Sequence, residues 1–266
     1  MAPEVGVLQP PTGGRIEYLD LGAGQPMLVI PGGEDGMRTV GEASRALRWT
    51  YRERARRFRV IVVGRREPVP CDGDPRVLAA DCAWAIEVLG VGPLVVEGIS
   101  AGGPVATWLA VDRPGLVRGL VLTATFARVD EPLERILREW IRLALEGKWR
   151  ELVADSLDRA RPASAHPRKP ALPPAVRLLS EPRSPDRFVR IMGGLVASDL
   201  RPELPKVRAP ALVLGGAEDQ IVRPPLVEEL AAGIPGSRLA LFPGWGHGLF
   251  RGSPEYETAV ERFARV

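Results

Sequence analysis

The sequence contains no asparagine and only two cysteines, Cys71 and Cys82, among its 266 residues. Two cysteines cannot build a disulfide framework, and their separation does not match the spacing of cysteine ligands in metal sites. We therefore expect free thiols in a reducing compartment. The sequence also lacks a cofactor or metal motif, so we expect the protein to work without a cofactor and without a metal.

Long apolar stretches are missing as well. No run approaches the length that spans a bilayer, and residues 1–14 lack the basic and then apolar pattern of a secretion signal. These absences predict a soluble, cytoplasmic protein that has no membrane-embedded part.

Charge of one sign does not dominate the chain. Lys and Arg number 36 and Asp and Glu number 33, which gives a net charge of +3, and the basic residues are spread along the sequence. The densest basic run, from Arg45 to Arg59, has helical spacing and is typical of a solvated helix face. We therefore expect no nucleic-acid partner. The sequence leaves the oligomeric state open.

What the sequence does contain is an alternation of short apolar runs with helical patterns. Residues 4–8 and 15–21 alternate like an antiparallel pair of strands, and the continuous apolar runs at 27–30 and 60–63 are typical of strands buried on both faces. Helical patterns separate the later runs, and the first of them covers residues 40–58. This order predicts an α/β fold with a mostly parallel sheet of the eight-stranded type, flanked by helices.

The alternation stops between residues 126 and 205, where proline-punctuated helical patterns, including one at 173–179, follow each other without a strand. We predict that residues 1–125 and 206–266 form the α/β core. Residues 126–205 then form an inserted helical cap over the carboxyl edge of the sheet. His166 lies in a Pro-rich and Arg-rich stretch of this insertion, and we interpret it as a surface residue.

The motif Gly98-x-Ser100-x-Gly102 lies between a strand pattern and a helical pattern. A turn this sharp drives its central residue toward positive φ and leaves no room for side chains at the two glycines. The Ser100 hydroxyl would project from the carboxyl end of the strand, beside the free N–H groups of a helix N-terminus. The pattern is that of a nucleophile elbow. A strand-to-helix turn without chemistry is the alternative.

A serine nucleophile needs a base, and an acid that orients the base, and both occur after later apolar runs. His247 lies in a glycine-rich loop, and Asp219 follows a strand pattern at residues 211–214. His247 would take the proton of Ser100, and Asp219 would hold the imidazole in the required tautomer. The neighbouring Glu218 is the rival acid.

The negative oxygen that forms during acyl transfer needs preorganised hydrogen-bond donors. The backbone N–H of Ala101 follows the nucleophile directly, and that of Gly33 lies in a glycine-rich loop at the end of an earlier strand pattern. We predict that these two groups form an oxyanion hole. Glu97, on the strand that enters the elbow, is interpreted as a structural hydrogen-bond acceptor.

Large apolar side chains of the insertion, together with one aromatic residue beside His247, are candidates for a substrate pocket. They can equally form the insertion's own core, so the substrate class stays open. These residues are Phe126, Trp140, Trp149, Phe188, Met192 and Trp245.

On these motifs the sequence resembles the α/β-hydrolase superfamily, in its branch of serine hydrolases with a helical cap. The stretch from Ser100 to Pro114 is similar to the family's elbow helix, and that from Leu204 to Asp219 is similar to its return from the cap. The resemblance covers nearly the whole chain outside the insertion. It implies a serine esterase-like enzyme that hydrolyses a small, mostly apolar ester or lactone-like carbonyl substrate through an acyl-enzyme.

Three places depart from the family's pattern. Many relatives have His-Gly before the oxyanion residue, where this chain has Pro31-Gly32. Residues 64–67 keep an arginine but lose the usual Asp and the glycine of the Arg-Gly pair. Ile99 replaces a His or Trp, which implies a more apolar pocket floor.

Two other functions stay open. Hydrolysis of a carbon–carbon bond in diketone-type products of aromatic breakdown uses the same triad, so the sequence does not separate it from ester hydrolysis. A non-catalytic, hydrolase-like protein that binds a small ligand is favoured only by Pro31 in the oxyanion loop.

Overall fold

The computed structural model describes residues 4–70, 73–164, 182, 184–249 and 253–265. Within these residues the chain forms eight strands that join in one sheet. The strands are β1 (Glu4–Leu8), β2 (Ile16–Leu21), β3 (Pro26–Ile30), β4 (Arg59–Val63), β5 (Leu94–Ile99), β6 (Val117–Thr123), β7 (Ala211–Gly216) and β8 (Arg238–Phe242).

The sheet has the order β1-β2-β4-β3-β5-β6-β7-β8. β2 pairs antiparallel with both β1 and β4, and every other neighbouring pair is parallel. The prediction of a mostly parallel, eight-stranded sheet in an α/β fold is confirmed.

Five helices outside the insertion pack around the sheet. They are α1 (Val40–Thr50), α2 (Pro75–Leu89), α3 (Gly103–Asp112), α7 (Pro224–Gly233) and α8 (Pro254–Ala264). Local signals set their ends: Thr39 and Glu42 form a capping box at the start of α1, and α2 ends at Gly90 in the left-handed conformation.

Between β6 and β7 the described residues form three helices and no strand. The helices are α4 (Glu131–Leu145), α5 (Trp149–Arg159) and α6 (Pro185–Val196), and we refer to them as the helical insertion. The helix predicted at residues 173–179 lies outside the described residues, as do His166 and Cys71. Among the described residues, none of the helices combines the length and the apolar composition that a membrane span requires.

Alternate residues of β5 face opposite sides of the sheet, as the period of a strand requires. Val96 packs in the core cluster that includes α2 and α3. Val95 and Ile99 pack in a second cluster with residues of α1 and α8. Because helices cover both faces, the central strands are apolar at nearly every position, which explains their continuous apolar runs.

The helix predicted over residues 40–58 is shorter in the structure. α1 ends at Thr50, and a short 3-10 turn at Arg54–Arg56 leads into β4. The turn buries Arg54, so the interpretation of the whole basic run as a solvated face is wrong at this residue.

Arg54 is buried because it pairs with carboxylates that are far away in sequence. Its guanidinium contacts Glu97, 43 residues away, and Glu257, 203 residues away. The periodicity of a basic run carries no information about such partners, so the sequence interpretation missed them.

The topology creates a crevice at the carboxyl ends of β3 and β5. The chain leaves β3 for β4 on one side, and later returns to form β5 on the other side. Ligands of open α/β sheets bind at such a switch point. The loop that begins at Pro31 and the turn that begins at Ser100 both start there.

Candidate active site

Ser100 lies at a strained turn between β5 and α3. Its φ is +49°, in the left-handed region that ordinary residues avoid. A Cβ at Gly98 would lie 2.6 Å from the Cβ of Ala106, and a Cβ at Gly102 would lie 2.2 Å from the carbonyl oxygen of Ile30. Side chains are therefore excluded at both glycines, as the sequence motif requires.

Three side chains form a hydrogen-bonded series at the carboxyl edge of the sheet. The Ser100 Oγ lies 2.9 Å from His247 Nε2, and His247 Nδ1 lies 2.7 Å from Asp219 Oδ2. The other carboxylate oxygen of Asp219 accepts hydrogen bonds from the backbone N–H groups of Ile221 and Val222. The structure thus brings together the three residues that the sequence analysis selected, although they are 28 to 147 residues apart.

Glu218, the rival acid, makes a different contact. Its Oε2 accepts a hydrogen bond of 2.7 Å from the backbone N–H of Ser164. Hydrogen bonding with the Ser164 side chain, and then with this N–H, lowers the pKa of Glu218 below its usual value. Glu218 therefore connects the loop after β7 to the chain that follows α5. It is Asp219 that contacts His247.

The two predicted oxyanion donors stand at equivalent places in the structure. Gly33 is the first residue of a 3-10 turn over Gly33–Gly36, and Ala101 is the second residue of a 3-10 turn over Ser100–Gly102. The first N–H groups of a helix have no acceptor within it. Both residues line the same cavity as Ser100 and His247.

Arg65 holds the loop that carries Gly33. Its Nη1 donates to the carbonyl oxygens of Pro31, at 2.7 Å, and of Gly32, at 3.0 Å. The backbone of the Pro31-Gly32 segment is therefore fixed without the polar side chain that many relatives have there.

The sequence analysis did not single out Thr125, which lies two residues after the end of β6 and supports the elbow. Its Oγ1 donates a 2.7 Å hydrogen bond to the carbonyl oxygen of Ser100. A Cβ at Gly103 would lie 2.0 Å from this Oγ1. The one signal in the sequence was Gly103, a third glycine directly after the motif, because a glycine at this place indicates that another group packs closely against the backbone.

A cavity of about 350 Å³ opens onto the candidate nucleophile. The helical insertion covers it with eight large apolar side chains, which are Leu133, Leu137, Trp140, Leu152, Leu157, Phe188, Met192 and Leu195. Phe126, Trp140, Phe188 and Met192 were predicted to line a pocket, and the structure places all four at this cavity. The volume is at the small end of the range for small-molecule sites.

Three other residues of the predicted pocket are not among the residues that line this cavity. Ile99 faces the side of the sheet that α1 and α8 cover, whereas the neighbouring Gly98 faces the side that α3 covers, because successive residues of a strand alternate between the two faces. Trp149 packs edge to face against Phe188 and forms a second layer behind it. Trp245 packs against the same core cluster as Ile99. For these three residues the expectation is corrected.

Three polar side chains at the cavity were not selected from the sequence. Glu34 follows Gly33 directly, so its position next to the predicted donor could have indicated it. Ser156 and Arg161 come from α5 and the residues after it, where no motif marks them.

Glu97 lies behind the elbow and outside the cavity, as part of a buried polar cluster. Its carboxylate accepts hydrogen bonds from Arg54, from Thr123 Oγ1 at 3.0 Å and from the Tyr256 hydroxyl. Burial and the charge of Glu97 raise the pKa of Tyr256 well above its ordinary value, so this hydroxyl stays a neutral donor. Glu97 acts here as an acceptor in the framework that joins β5 to α8.

Metal ligation has no candidate in the described ranges, because they contain no group of three or more His, Cys, Asp or Glu residues arranged to hold an ion.

Comparison with known proteins places this fold and site in a family. The profile of the serine aminopeptidase S33 family matches residues 82–254, which include the elbow, Asp219 and His247. The chain belongs to this family. It is an α/β hydrolase, and the resemblance drawn from the sequence motifs is confirmed.

Two relatives and one solved structure illustrate the relationship. The chain is 31% identical over 272 residues, 97% of its length, to polyketide synthase ThaQ of Burkholderia thailandensis, and spans 12% of that protein. It is 32% identical over 175 residues to the pimeloyl-[acyl-carrier protein] methyl ester esterase of Nitrosomonas europaea. The aligned region covers 60% of this chain and 66% of that esterase. A hydrolase from Pseudomonas aeruginosa PA01 has the same fold, with a TM-score of 0.80, 24% identity and 99% of both chains covered.

Proposed function

We propose that this α/β hydrolase is a serine hydrolase that cleaves a small, mostly apolar ester or lactone-like carbonyl through an acyl-enzyme on Ser100. The observation that carries the proposal is the series from Ser100 through His247 to Asp219, with contacts of 2.9 and 2.7 Å. A serine hydroxyl is a weak nucleophile at its own pKa and needs a base within hydrogen-bonding reach.

In the proposed reaction, the Ser100 Oγ attacks the carbonyl carbon while its proton moves to His247 Nε2. Asp219 accepts from His247 Nδ1 and stabilises the imidazolium that forms. Collapse of the tetrahedral intermediate breaks the bond to the alcohol, which leaves with the proton from His247. Water then attacks the acyl carbon while His247 takes one of its protons. Collapse of the second tetrahedral intermediate breaks the bond to the Ser100 Oγ, which receives that proton from His247 as the acid leaves.

The backbone N–H groups of Gly33 and Ala101 would donate to the oxygen that becomes negative in the tetrahedral intermediate. Each donor lies at the start of a short turn, so it is free to point into the cavity. Loss of one such donor costs about 10²- to 10³-fold in kcat in a serine protease. Backbone donors of this kind also explain why Pro31 is compatible with catalysis, since the preceding side chain is not needed for them.

The apolar lining of the cavity supports a hydrocarbon acyl or alcohol group as the part of the substrate that is recognised. Eight large apolar side chains of the insertion surround a space of about 350 Å³, a volume that suits a small ligand. The esterase relative from Nitrosomonas europaea supports ester chemistry for this chain as well.

Hydrolysis of p-nitrophenyl esters, from acetate to decanoate, tests the proposal with the wild type, Ser100→Ala and His247→Ala. We expect activity that depends on chain length and falls by at least about 10³-fold in both variants. A fluorophosphonate probe provides the second readout, because it labels an activated serine whatever the substrate is. We expect it to label Ser100 in the wild type and to lose that labelling in His247→Ala.

The outcomes separate the alternatives. Labelling of Ser100 without ester hydrolysis would refute the ester substrate and favour carbon–carbon bond hydrolysis. Absence of both would refute the catalytic proposal and favour a ligand-binding protein.

The cavity itself is tested by Trp140→Ala, with Trp49→Ala as the matched control. Trp140 lines the cavity, whereas Trp49 is 64% exposed on α1. We expect Trp140→Ala to shift the preferred ester toward longer chains, because it enlarges the enclosed space. An unchanged chain-length profile would show that the acyl group does not occupy this cavity.

A further inference from the structure

The proposed oxyanion donor in the turn over Gly33–Gly36 is the backbone N–H of a glycine, which has no side chain to anchor it. The direction of this N–H therefore depends on the groups that pack around the turn. On one side, Arg65 donates to the carbonyl oxygens of Pro31 and Gly32. On the other side, helix α6 of the insertion lies directly on the turn. A Cβ at Gly33 would lie 2.9 Å from Met192 Cε, and a Cβ at Gly36 would lie 3.1 Å from the Cα of Phe188.

Asp35, two residues after Gly33, is the buried centre of this contact. Its side chain is 2% exposed, and its Oδ2 accepts a hydrogen bond of 3.0 Å from the backbone N–H of Arg65. Arg65 thus holds the turn at both ends, through the carbonyl groups before Gly33 and through the carboxylate after it.

Arg187 of α6 completes the cluster from the insertion. Its Nε donates to the backbone oxygen of Asp35 at 2.7 Å, and its Nη2 donates to Asp35 Oδ2 at 2.8 Å. The same Nη2 lies 3.1 Å from the backbone oxygen of Arg65. One guanidinium therefore fixes both the main chain and the side chain of Asp35, although it comes from a position 152 residues later.

The contacts of Arg187 and Arg65 with Asp35 orient the turn more than they stabilise the fold. A buried ion cluster contributes little net stability compared with apolar packing, because burial removes water from every charge. A fork of donors, by contrast, fixes direction as well as distance. The Gly33 N–H needs that kind of control, because an oxyanion donor works only within a few tenths of an ångström of its best position.

We propose that Arg187 is a positioning residue for the oxyanion hole: through Asp35, it holds the Gly33 N–H in its donating geometry and makes that geometry depend on the docked helical insertion. This inference rests on the proposed function, since it assigns Gly33 its role in acyl transfer. It adds that the insertion sets the rate of the chemical step besides covering the cavity.

The test compares Arg187→Met and Arg187→Lys with Arg190→Met, a control on the same helix. Arg190 pairs with Asp186 and is 39% exposed. Active sites are first counted by fluorophosphonate titration, so that unfolded protein does not enter the rates. We expect both Arg187 variants to lose roughly tenfold or more in kcat per active site, with KM within about twofold, and the control to keep wild-type values.

Arg187→Lys separates geometry from charge. A lysine keeps the positive charge and supports folding. Its single nitrogen cannot reproduce the two separate contacts that the guanidinium makes with the backbone oxygen and with Oδ2 of Asp35. Wild-type kcat in Arg187→Lys would overturn the proposal, because charge alone would then explain the role of Arg187.

Inhibitor binding gives a readout that a purely structural role does not change. A trifluoromethyl ketone forms an anionic adduct with the serine, whereas the matching methyl ketone remains a neutral ligand. We expect the affinity for the first to fall in parallel with kcat/KM, by roughly tenfold or more, and the affinity for the second to stay within about twofold. Equal losses for both ketones would overturn the proposal.

Hydrogen exchange of the peptide that covers residues 31–37 tests the hold on the turn without any substrate. We expect exchange there to be about threefold or more faster in Arg187→Met than in the wild type and the Arg190→Met control. Unchanged exchange would overturn the inference whatever the activity. If the wild type hydrolyses no ester and takes no fluorophosphonate, the proposed function fails, and the exchange result still decides whether Arg187 orders this turn.

Discussion

Replacement of Arg54 by methionine should be among the most destabilising changes outside the apolar core. The Arg54 side chain is 1% exposed and the Glu97 side chain is fully buried, and Arg54 also makes a two-point contact with Glu257. Methionine keeps the length of the side chain but removes every donor. Glu97 would then be a buried carboxylate that keeps its hydroxyl donors and loses its cation.

The expected cost follows from this burial. Removal of one partner from a buried ion pair costs about 3–5 kcal/mol, because the remaining charge is neither solvated nor paired. Such a loss is a large part of the roughly 5–15 kcal/mol that stabilises an ordinary domain. The matched control is Arg56→Met in the same turn, because the Arg56 side chain is 74% exposed and pairs with the exposed Glu53. An exposed pair contributes about 0–1 kcal/mol.

Urea unfolding of the two variants at pH 7 measures the difference. We expect Arg54→Met to lose at least about 2 kcal/mol more than Arg56→Met, and Glu97→Gln in the Arg54→Met background to recover part of the loss. Equal losses in the two single variants would refute the reasoning, because they would mean that the buried carboxylates do not need Arg54.

The same comparison has a predicted pH dependence. Burial raises the pKa of Glu257, and Arg54 opposes this rise. Without Arg54 the folded-state pKa of Glu257 should lie further above its unfolded value. The destabilising effect of Glu257 is absent below the unfolded pKa, grows as pH rises between the two pKa values and is complete above the folded one. The gap between the variant and the wild type should therefore be smaller at pH 4 than at pH 8.

Three more predictions concern single sites. Asp219→Asn should lower kcat by about 10³- to 10⁴-fold in ester hydrolysis because the imidazole loses its orienting acceptor, whereas Glu218→Gln should stay within about twofold. Gly102→Ala should lower the melting temperature strongly and Gly115→Ala should not, because a Cβ meets the Ile30 oxygen at 2.2 Å in the first case and open space in the second. Burial raises the pKa of the Cys82 thiol to about 12, so mass spectrometry should find Cys82 unmodified by iodoacetamide at pH 8 until the protein unfolds.

Most of the fold could be predicted because its signals are local. A strand buried on both faces has a continuous apolar run, and helix ends have their own residues, such as Pro75 at the start of α2 and Gly90 at its end. The elbow glycines are local signals too. The assignment of Ser100, Asp219 and His247 followed from strand-end loops in a parallel sheet, where carboxyl ends meet at one edge.

The errors came from side-chain direction and from distant pairing. Ile99 was placed in the pocket, although alternation along β5 points it away from the face that Gly98 shares with α3. Arg54 was taken for a solvated residue because its partners are far away in sequence. Thr125 and Arg187 were not selected for the same reason, since each acts on a backbone group of a distant loop.

Two adjacent rows of side chains on helix α6 contact the cavity and the turn that carries Gly33. Phe188 and Met192, four residues apart, line the cavity and also lie against Gly36 and Gly33 of the turn. Arg187 and Ile191, also four residues apart, face the turn that carries Gly33, where Arg187 binds Asp35 and Ile191 lies against Gly36. The two rows share one rigid backbone, so a substitution that widens the cavity by shifting α6 also moves the contact with the turn. We therefore expect changes at Phe188 to alter chain-length preference and kcat together, whereas changes on α4, such as Trp140→Ala, should alter chain-length preference alone.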